Sequence, residues 1–242
     1  MITHPFTDDP SQDPERVRAF FDQWQIYHRV LELDYLHHRA AYAALAQALA
    51  GRERPFSFLD LGAGDAVCTT RVLSSLPVAR YEAVDLSAVA LKLAEENAGP
   101  LACPKTFTHA DFVERVGAGG EPFDVIFIGL SLHHLPARDK RAFFPKLRTL
   151  LNEGGSFFCY EPIREPDETR DEVLARWWRH VEATWNELTP AEAASVKEHV
   201  FGNDYPEPVT DFEAMAHAAG FHAFETLYTD EQRLYALFRA DA

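Results

Sequence analysis

Apolar positions recur first at helical spacing and then in short solid runs. From Pro14 to about Ala50, residues Val17, Phe20, Phe21, Trp24, Val30 and Leu33 fall on one side of a helix. Asp13 is placed to cap it, Pro14 suits the first helical position, and Gly51 marks the end. The dozen residues before it are polar and acidic and read as a loose tail. Beyond Gly51 the period changes. Runs of strand length are expected at Phe56–Leu61, Tyr81–Leu86, Lys105–Ala110, Phe123–Gly129 and Gly155–Tyr160. Helices are expected between them over Ala66–Ser75, from a Ser87 cap to Asn97, and over Lys140–Leu151. Solid apolar strands alternating with amphipathic helices mean a parallel sheet covered on both faces.

The alternation is interrupted from Pro162 to Pro208 by a stretch rich in Trp, Arg and Glu. Two helices are expected there, one opened by the capping box Thr189-Pro-Ala-Glu192. A second box, Thr210-Asp-Phe-Glu213, then opens a helix stopping at Gly220. Strands follow at Phe221–Tyr228 and Leu234–Phe238. The short link from Thr229 to Arg233 cannot make a parallel crossover, so this pair is expected to be an antiparallel hairpin.

Net charge is −15, with 38 acidic and 23 basic residues. That balance, without any Lys/Arg run, argues against nucleic acid as a partner. Cys68, Cys103 and Cys159 are too few and scattered for a disulfide framework, which suits a reduced, cytoplasmic protein. The N-terminus resembles neither a signal nor a transit peptide, and no apolar run is long enough to span a membrane.

The candidate chemistry starts at "FLDLGAGDAV", Phe58 to Val67. Strand, Gly62-x-Gly64 and helix put backbone N–H groups at the carboxyl end of the first strand, where open parallel sheets bind ligands. The second strand then ends in Asp85, placed to accept hydrogen bonds from both ribose hydroxyls of an adenosine. A dinucleotide site wants a third glycine, yet Val67 stands there. Asp65 occupies the diphosphate position and Asp60 adds to the same field, which suits a cationic ligand such as S-adenosylmethionine. The Tyr-x-x-x-Lys pattern of many nicotinamide reductases does not occur.

Together "FLDLGAGDAVCT", "YEAVDLSAVALKLAEEN", "THADFVE", "FDVIFIGLSLHHLP", "LRTLLNEGGSFFCYEP" and the terminal "RLYALFRA" resemble the class I S-adenosylmethionine-dependent methyltransferase family. The resemblance covers roughly residues 56–161 and 209–240. It implies an α/β, doubly wound, Rossmann-like sheet of seven strands with the last one antiparallel. It also implies an N-terminal helical lid (1–54), a methyltransferase core (55–161 and 209–242) and a helical insert serving as a substrate cap (162–208). Asp60, Gly62 and Gly64 would contact the methionine part of the cofactor, and Asp85 its ribose. Leu86 would pack on the adenine, with Asp111 on the amino group and Phe112 beside it. The Ile128–Gly129 backbone would line the methionine end. For Asp111 a plain helix cap before "FVERV" stands as the other reading.

The reaction implied is in-line methyl transfer to an O, N or S nucleophile of a small molecule. His133 is the candidate base or substrate contact, with a structural role in the loop as the other reading. Metal ligation is not expected, because no carboxylate pair of suitable spacing accompanies the histidines. Candidate substrate contacts are Tyr27, Tyr35 and His38 on the lid, His134 beside the site, and Arg176, Trp178 and Tyr205 in the insert. Trp178 and Trp185 are read as sharing one helix face. The positions after the fourth strand read Gly129-Leu-Ser-Leu132, without the Asn/Asp-Pro-Pro-aromatic motif of amine-methylating enzymes that act on bases. A homodimer formed through the insert is compatible with the pattern. Two alternatives remain at this point: a nicotinamide-dependent oxidoreductase, and a catalytically silent scaffold that binds an adenosine ligand.

Overall fold

The computed structural model describes residues 26–242. The loose tail, the Asp13 cap, Pro14 and the face formed by Val17, Phe20, Phe21 and Trp24 lie outside the described residues.

Seven strands form one sheet in the order β3-β2-β1-β4-β5-β7-β6. They are β1 Phe56–Leu61, β2 Val78–Asp85, β3 Lys105–His109, β4 Phe123–Gly129, β5 Leu151–Pro162, β6 Ala223–Thr229 and β7 Tyr235–Asp241. Strands β1 to β5 pair in parallel, and β7 runs antiparallel to both β5 and β6. The doubly wound sheet and the reversed last strand are therefore as expected. The helices are α1 His38–Leu49, α2 Val67–Leu73, α3 Ala88–Asn97, α4 Phe112–Gly117, α5 Ala137–Thr149, α6 Arg170–Thr184, α7 Pro190–Asn203 and α8 Val209–Ala218. Among the described residues no helix is long and apolar enough to cross a membrane.

The central strands alternate between two cores because successive side chains leave opposite faces. Phe58, Val125, Phe127, Phe158 and Tyr160 pack on one face, with α1 and the insert residues Val173, Trp177 and Trp185 over them. Leu59, Leu61, Ile126, Ile128, Phe157 and Cys159 pack on the other, against Phe143, Phe144 and Phe212 of α5 and α8. This register puts Asp60 on the same face as Phe58, the face that α1 covers.

Two local expectations need correction. The helix expected from Pro14 to Ala50 is broken: residues 26–32 are helical, 33–36 form a turn, and α1 starts at His38. Asp34 and His37 both take left-handed backbone (φ 56° each), and Asp34 Oδ1 accepts the Arg39 N–H at 2.9 Å. An aspartate tolerates that conformation and supplies a cap, so the chain restarts a helix at a new angle. At α8, Thr210 does not cap. The helix begins at Val209 after an N-cap Pro208 that makes no side-chain cap bond, so Thr210 sits inside the first turn. The Thr189–Glu192 box forms as expected, and Ser87 accepts the Ala90 N–H at 3.1 Å.

Candidate active site

The β1–α2 turn is built around two glycines in left-handed backbone, with φ +64° at Gly62 and +55° at Gly64. A Cβ on Gly62 would lie 2.3 Å from Ser131 Oγ, so only glycine lets the loops after β1 and β4 meet. Asp85 ties this turn to the end of β2, accepting the N–H of Gly64 and of Ser87 at 2.8 Å each. Between these loops lies a cavity of about 220 Å³, bordered by Asp60, Gly62, Gly64, Asp85, Gly129 and Tyr42, among others.

Its electrostatics are acidic. Asp60 is 1% exposed, takes a hydrogen bond from the Tyr81 hydroxyl at 2.9 Å, and is pushed up to about 7 by burial. Burial also raises Asp85 above the ordinary carboxylate range, against the pull of its backbone N–H donors. Asp65 is not among the residues that line the cavity. Its Oδ1 accepts the Val67 N–H at 3.1 Å and its Oδ2 lies 3.7 Å from His28 Nε2 on the lid.

A second, larger cavity of about 310 Å³ adjoins the first on the same sheet face. Tyr27 and Leu130 border both. Its sides are apolar, contributed by Ile163, Val173, Leu174, Trp177 and Trp185 of the insert and Leu234 of the core. One end is polar, where His133, His134, His199 and Asp204 meet. His133 leaves the short 3-10 turn after β4 and is 7% exposed. Its Nδ1 lies 2.6 Å from Glu161 Oε2, and Glu161 also accepts the backbone N–H groups of Ser131, Leu132 and His133 at 2.8–3.0 Å. Glu161 is fully buried at the end of β5 and sets the histidine's orientation.

The residues expected from sequence fall into three groups. Asp60, Gly62, Gly64, Asp85 and Gly129 converge on the smaller cavity, with Tyr27 and His38 along its lid side. His133 and His134 border the larger one. The third group borders neither cavity. Leu86 is half-buried with its carbonyl held by His109 at 2.8 Å. Asp111 caps α4, accepting the Val113 N–H at 2.6 Å, and Phe112 packs edge-on against Phe143. Ile128 directs its side chain into the opposite core.

Among the substrate candidates, four are engaged away from the larger cavity. Tyr35 stacks on Trp185 at 4.8 Å, and its hydroxyl accepts the Glu187 N–H. Arg176 pairs with Glu168 at 2.7 Å and bonds the Gln232 carbonyl. Tyr205 lies under the Arg170 guanidinium. Trp178 lies under the Lys197 ammonium and donates to Glu182, while Trp177 and Trp185 face inward at 6% exposure each. The expected Trp178–Trp185 face is thus corrected to Trp177–Trp185, because α6 buries Val173, Leu174, Trp177 and Val181 and leaves Trp178 one position off that stripe.

Sequence reasoning did not single out Glu161, His199 or Asp204. An acid ending an otherwise apolar strand was a usable signal for Glu161. Asp204 carried none, since it reaches His133 only through the path of the insert.

Residues 58–155 match a family model described as a methyltransferase domain. Among proteins of curated function none matches. Similar solved structures include magnesium protoporphyrin IX methyltransferase (ChlM) from Synechocystis PCC 6803 with bound SAH. That likeness has 15% identity and a TM-score of 0.63, and covers 95% of this chain and 99% of that one. An O-methyltransferase family protein from Burkholderia thailandensis aligns at 18% identity and TM-score 0.59, over 95% of this chain and 60% of its own. A candidate O-methyltransferase from Nostoc punctiforme PCC 73102 aligns at 20% and 0.59, over 84% of this chain and 57% of its own. The chain thus spans less than two thirds of the length of the last two. At these identities the likeness establishes the fold. Residues 58–155 thus match a methyltransferase domain, set in the fold that these solved structures share.

Proposed function

We propose that the chain transfers a methyl group from S-adenosylmethionine to a small molecule held in the larger cavity. The observation that carries this reading is the junction of the two cavities across Tyr27 and Leu130. The residues fit the cofactor. A Gly62 side chain would run into Ser131 at the wall of the smaller cavity, and the carboxyl groups of Asp60 and Asp85 that border it suit a cation with a ribose. Bound there, S-adenosylmethionine supplies a methyl group already activated by sulfonium charge for in-line displacement. ChlM, the Synechocystis relative, was solved with SAH, which supports the assignment.

The protein's own tasks are then to hold, align and dry the site. Tyr27 and Leu130 separate the two ligands at the junction, and the lid and insert shield it from water. The apolar sides and aromatic rings of the larger cavity favour a compact, largely apolar acceptor, with its O, N or S nucleophile toward the His133–Asp204 end. The net charge of −15 and the enclosure argue for such a molecule over nucleic acid. With its Nδ1 proton held by Glu161, His133 presents Nε2 to take the acceptor's proton.

Calorimetry with S-adenosylmethionine, SAH and NAD tests the cofactor. The first two should bind and NAD should not; the reverse would favour an oxidoreductase. Asp85→Ala should weaken binding by about 1.5–3 kcal/mol, the range of a charge-assisted hydrogen bond. SAH formation with a panel of small hydroxylated, amino and thiol aromatics tests transfer itself. Binding without turnover on any of them would favour a silent scaffold.

A further inference from the structure

The polar end of the larger cavity brings the adjacent His133 and His134 against Asp204, which is remote in sequence. Donor atoms of His133, His134 and Asp204 all lie within 4.8 Å of one another. Asp204 Oδ1 is 3.7 Å from His133 Nε2 and 3.4 Å from His134 Nδ1. Asp204 is only 7% exposed, and both its Oδ1 and His134 Nδ1 are buried without a hydrogen-bond partner. A buried carboxylate oxygen that faces two imidazole nitrogens yet makes no well-formed hydrogen bond is costly, by about 1–3 kcal/mol or more, unless a cation or proton meets it.

The tautomer of His133 follows from its other neighbour. Glu161 already accepts three backbone N–H groups, and its Oε2 also receives the Nδ1–H of His133. In the neutral ring, Nε2 is then a lone pair directed to the Asp204 side. A carboxylate behind a ligating histidine is the usual support of a metal site. Two donors about 2.0–2.1 Å from a tetrahedral cation stand about 3.4 Å apart, close to the two separations found.

We propose that His133 Nε2, His134 Nδ1 and Asp204 Oδ1 form a site for a divalent transition-metal cation, open toward the larger cavity to an oxygen of the acceptor. Two imidazoles and one carboxylate suit zinc, cobalt or iron, whereas magnesium and calcium prefer all-oxygen sets. The inference deepens the methyltransferase reading and rests on it for the role of the cation. An acceptor hydroxyl ligating the cation loses its proton to water. Its oxygen then forms the O–CH3 bond as the C–S bond breaks, with the electron pair kept by sulfur. His133 is in that state a ligand, and the cation replaces it as the agent that activates the acceptor.

The test is a Co²⁺ titration of the tag-free, full-length protein without cofactor, followed by visible absorption and calorimetry. One cobalt per chain is expected, with ligand-field bands of an N/O site. His134→Ala and Asp204→Asn should each weaken binding at least about tenfold, as should Glu161→Gln through the orientation of His133. His222→Ala, an exposed residue far from the cavity, should change nothing. No stoichiometric binding, or binding equally strong in both His134→Ala and Asp204→Asn, overturns the site. His134→Ala, being partly exposed, serves where Asp204→Asn does not fold. S-adenosylmethionine binding on the same samples separates the failures: cofactor binding retained with the cobalt site absent sinks this inference alone.

Discussion

The two cavities share one sheet face but are built by opposite means. The smaller is made by short loops at strand ends, with backbone N–H groups, glycines and buried acids drawn mainly from residues 58–155. The larger is made by helices that meet from three separate stretches: the lid, the core edge and the insert. One depends on a few backbone angles, the other on apolar packing between distant segments. Damage to either should therefore stay on its own side, and each expected outcome below would fail if the two were one unit.

The largest effect is expected at Trp185, which stacks on Tyr35 of the lid and meets Trp177 edge-on at 5.5 Å. Trp185→Ala should destabilise the fold by about 3–5 kcal/mol and raise the acceptor KM, while S-adenosylmethionine affinity holds. Thermal unfolding and calorimetry read the two parts. Because its Nε1 is buried without a partner, Trp185→Phe should recover most of the loss. Trp178→Ala, at a partly buried position under the Lys197 ammonium, should cost less than Trp185→Ala and leave the acceptor KM nearer wild type. A drop in cofactor affinity for Trp185→Ala would join what is separated here.

The opposite test is Gly62→Ala. Left-handed backbone and a Cβ 2.3 Å from Ser131 Oγ should together remove about 2–4 kcal/mol of stability and most cofactor affinity. Gly64→Ala has the same backbone demand but nothing within 4 Å of its Cβ, so it should lose only about 1–2 kcal/mol. Denaturant unfolding of the pair isolates the Ser131 clash. Equal losses would mean that backbone conformation alone requires the glycine.

The same contrast explains what could be read beforehand. The sheet, its reversed strand and the glycine turn are local patterns: solid apolar runs, a hairpin link too short for a crossover, and Gly62-x-Gly64 followed by Asp85. The larger cavity has no local pattern. Whether Trp177 or Trp178 faces inward depends on where α6 docks, and a one-residue offset reversed the reading. Arg176 and Tyr205 have the chemistry of ligand contacts, yet Glu168 and Arg170 engage them first. Asp204 joins His133 only once α7 is in place.

Asp60 offers a test in which stability and binding move in opposite directions. Its carboxyl is raised from 3.8 to about 7 by burial, so the folded chain holds a proton that the unfolded chain has released. Between those values stability falls as pH rises, and above about 7 the full penalty of a buried charge is present. Asp60→Asn should therefore stabilise the cofactor-free protein by about 2–4 kcal/mol near about pH 8, and by little near about pH 4. Binding should go the other way. Wild-type affinity for the cationic cofactor should fall as pH drops below about 7, whereas the variant should bind weakly with a flat profile. A stabilised variant with unchanged affinity would remove Asp60 from the cofactor's surroundings.

The smallest effect concerns the tie between the lid and the insert. Arg29 Nη1 lies 3.0 Å from both oxygens of Glu192, with the two side chains 40% and 21% exposed. Glu192 also closes the capping box of α7 with Thr189, so Glu192→Ala would confuse a lost cap with a lost ion pair. Glu192→Gln keeps the box and removes only the charge. A double-mutant cycle of Arg29→Ala and Glu192→Gln should give a coupling of about 0.2–1 kcal/mol, weakening as salt screens it. The acceptor KM should rise by less than about threefold in either single variant, with cofactor affinity untouched. A coupling of zero would leave Tyr35 on Trp185 as the contact that holds the lid down. A coupling well above about 1 kcal/mol would mean that water is excluded from the pair, and that lid and insert close as a single piece over the acceptor.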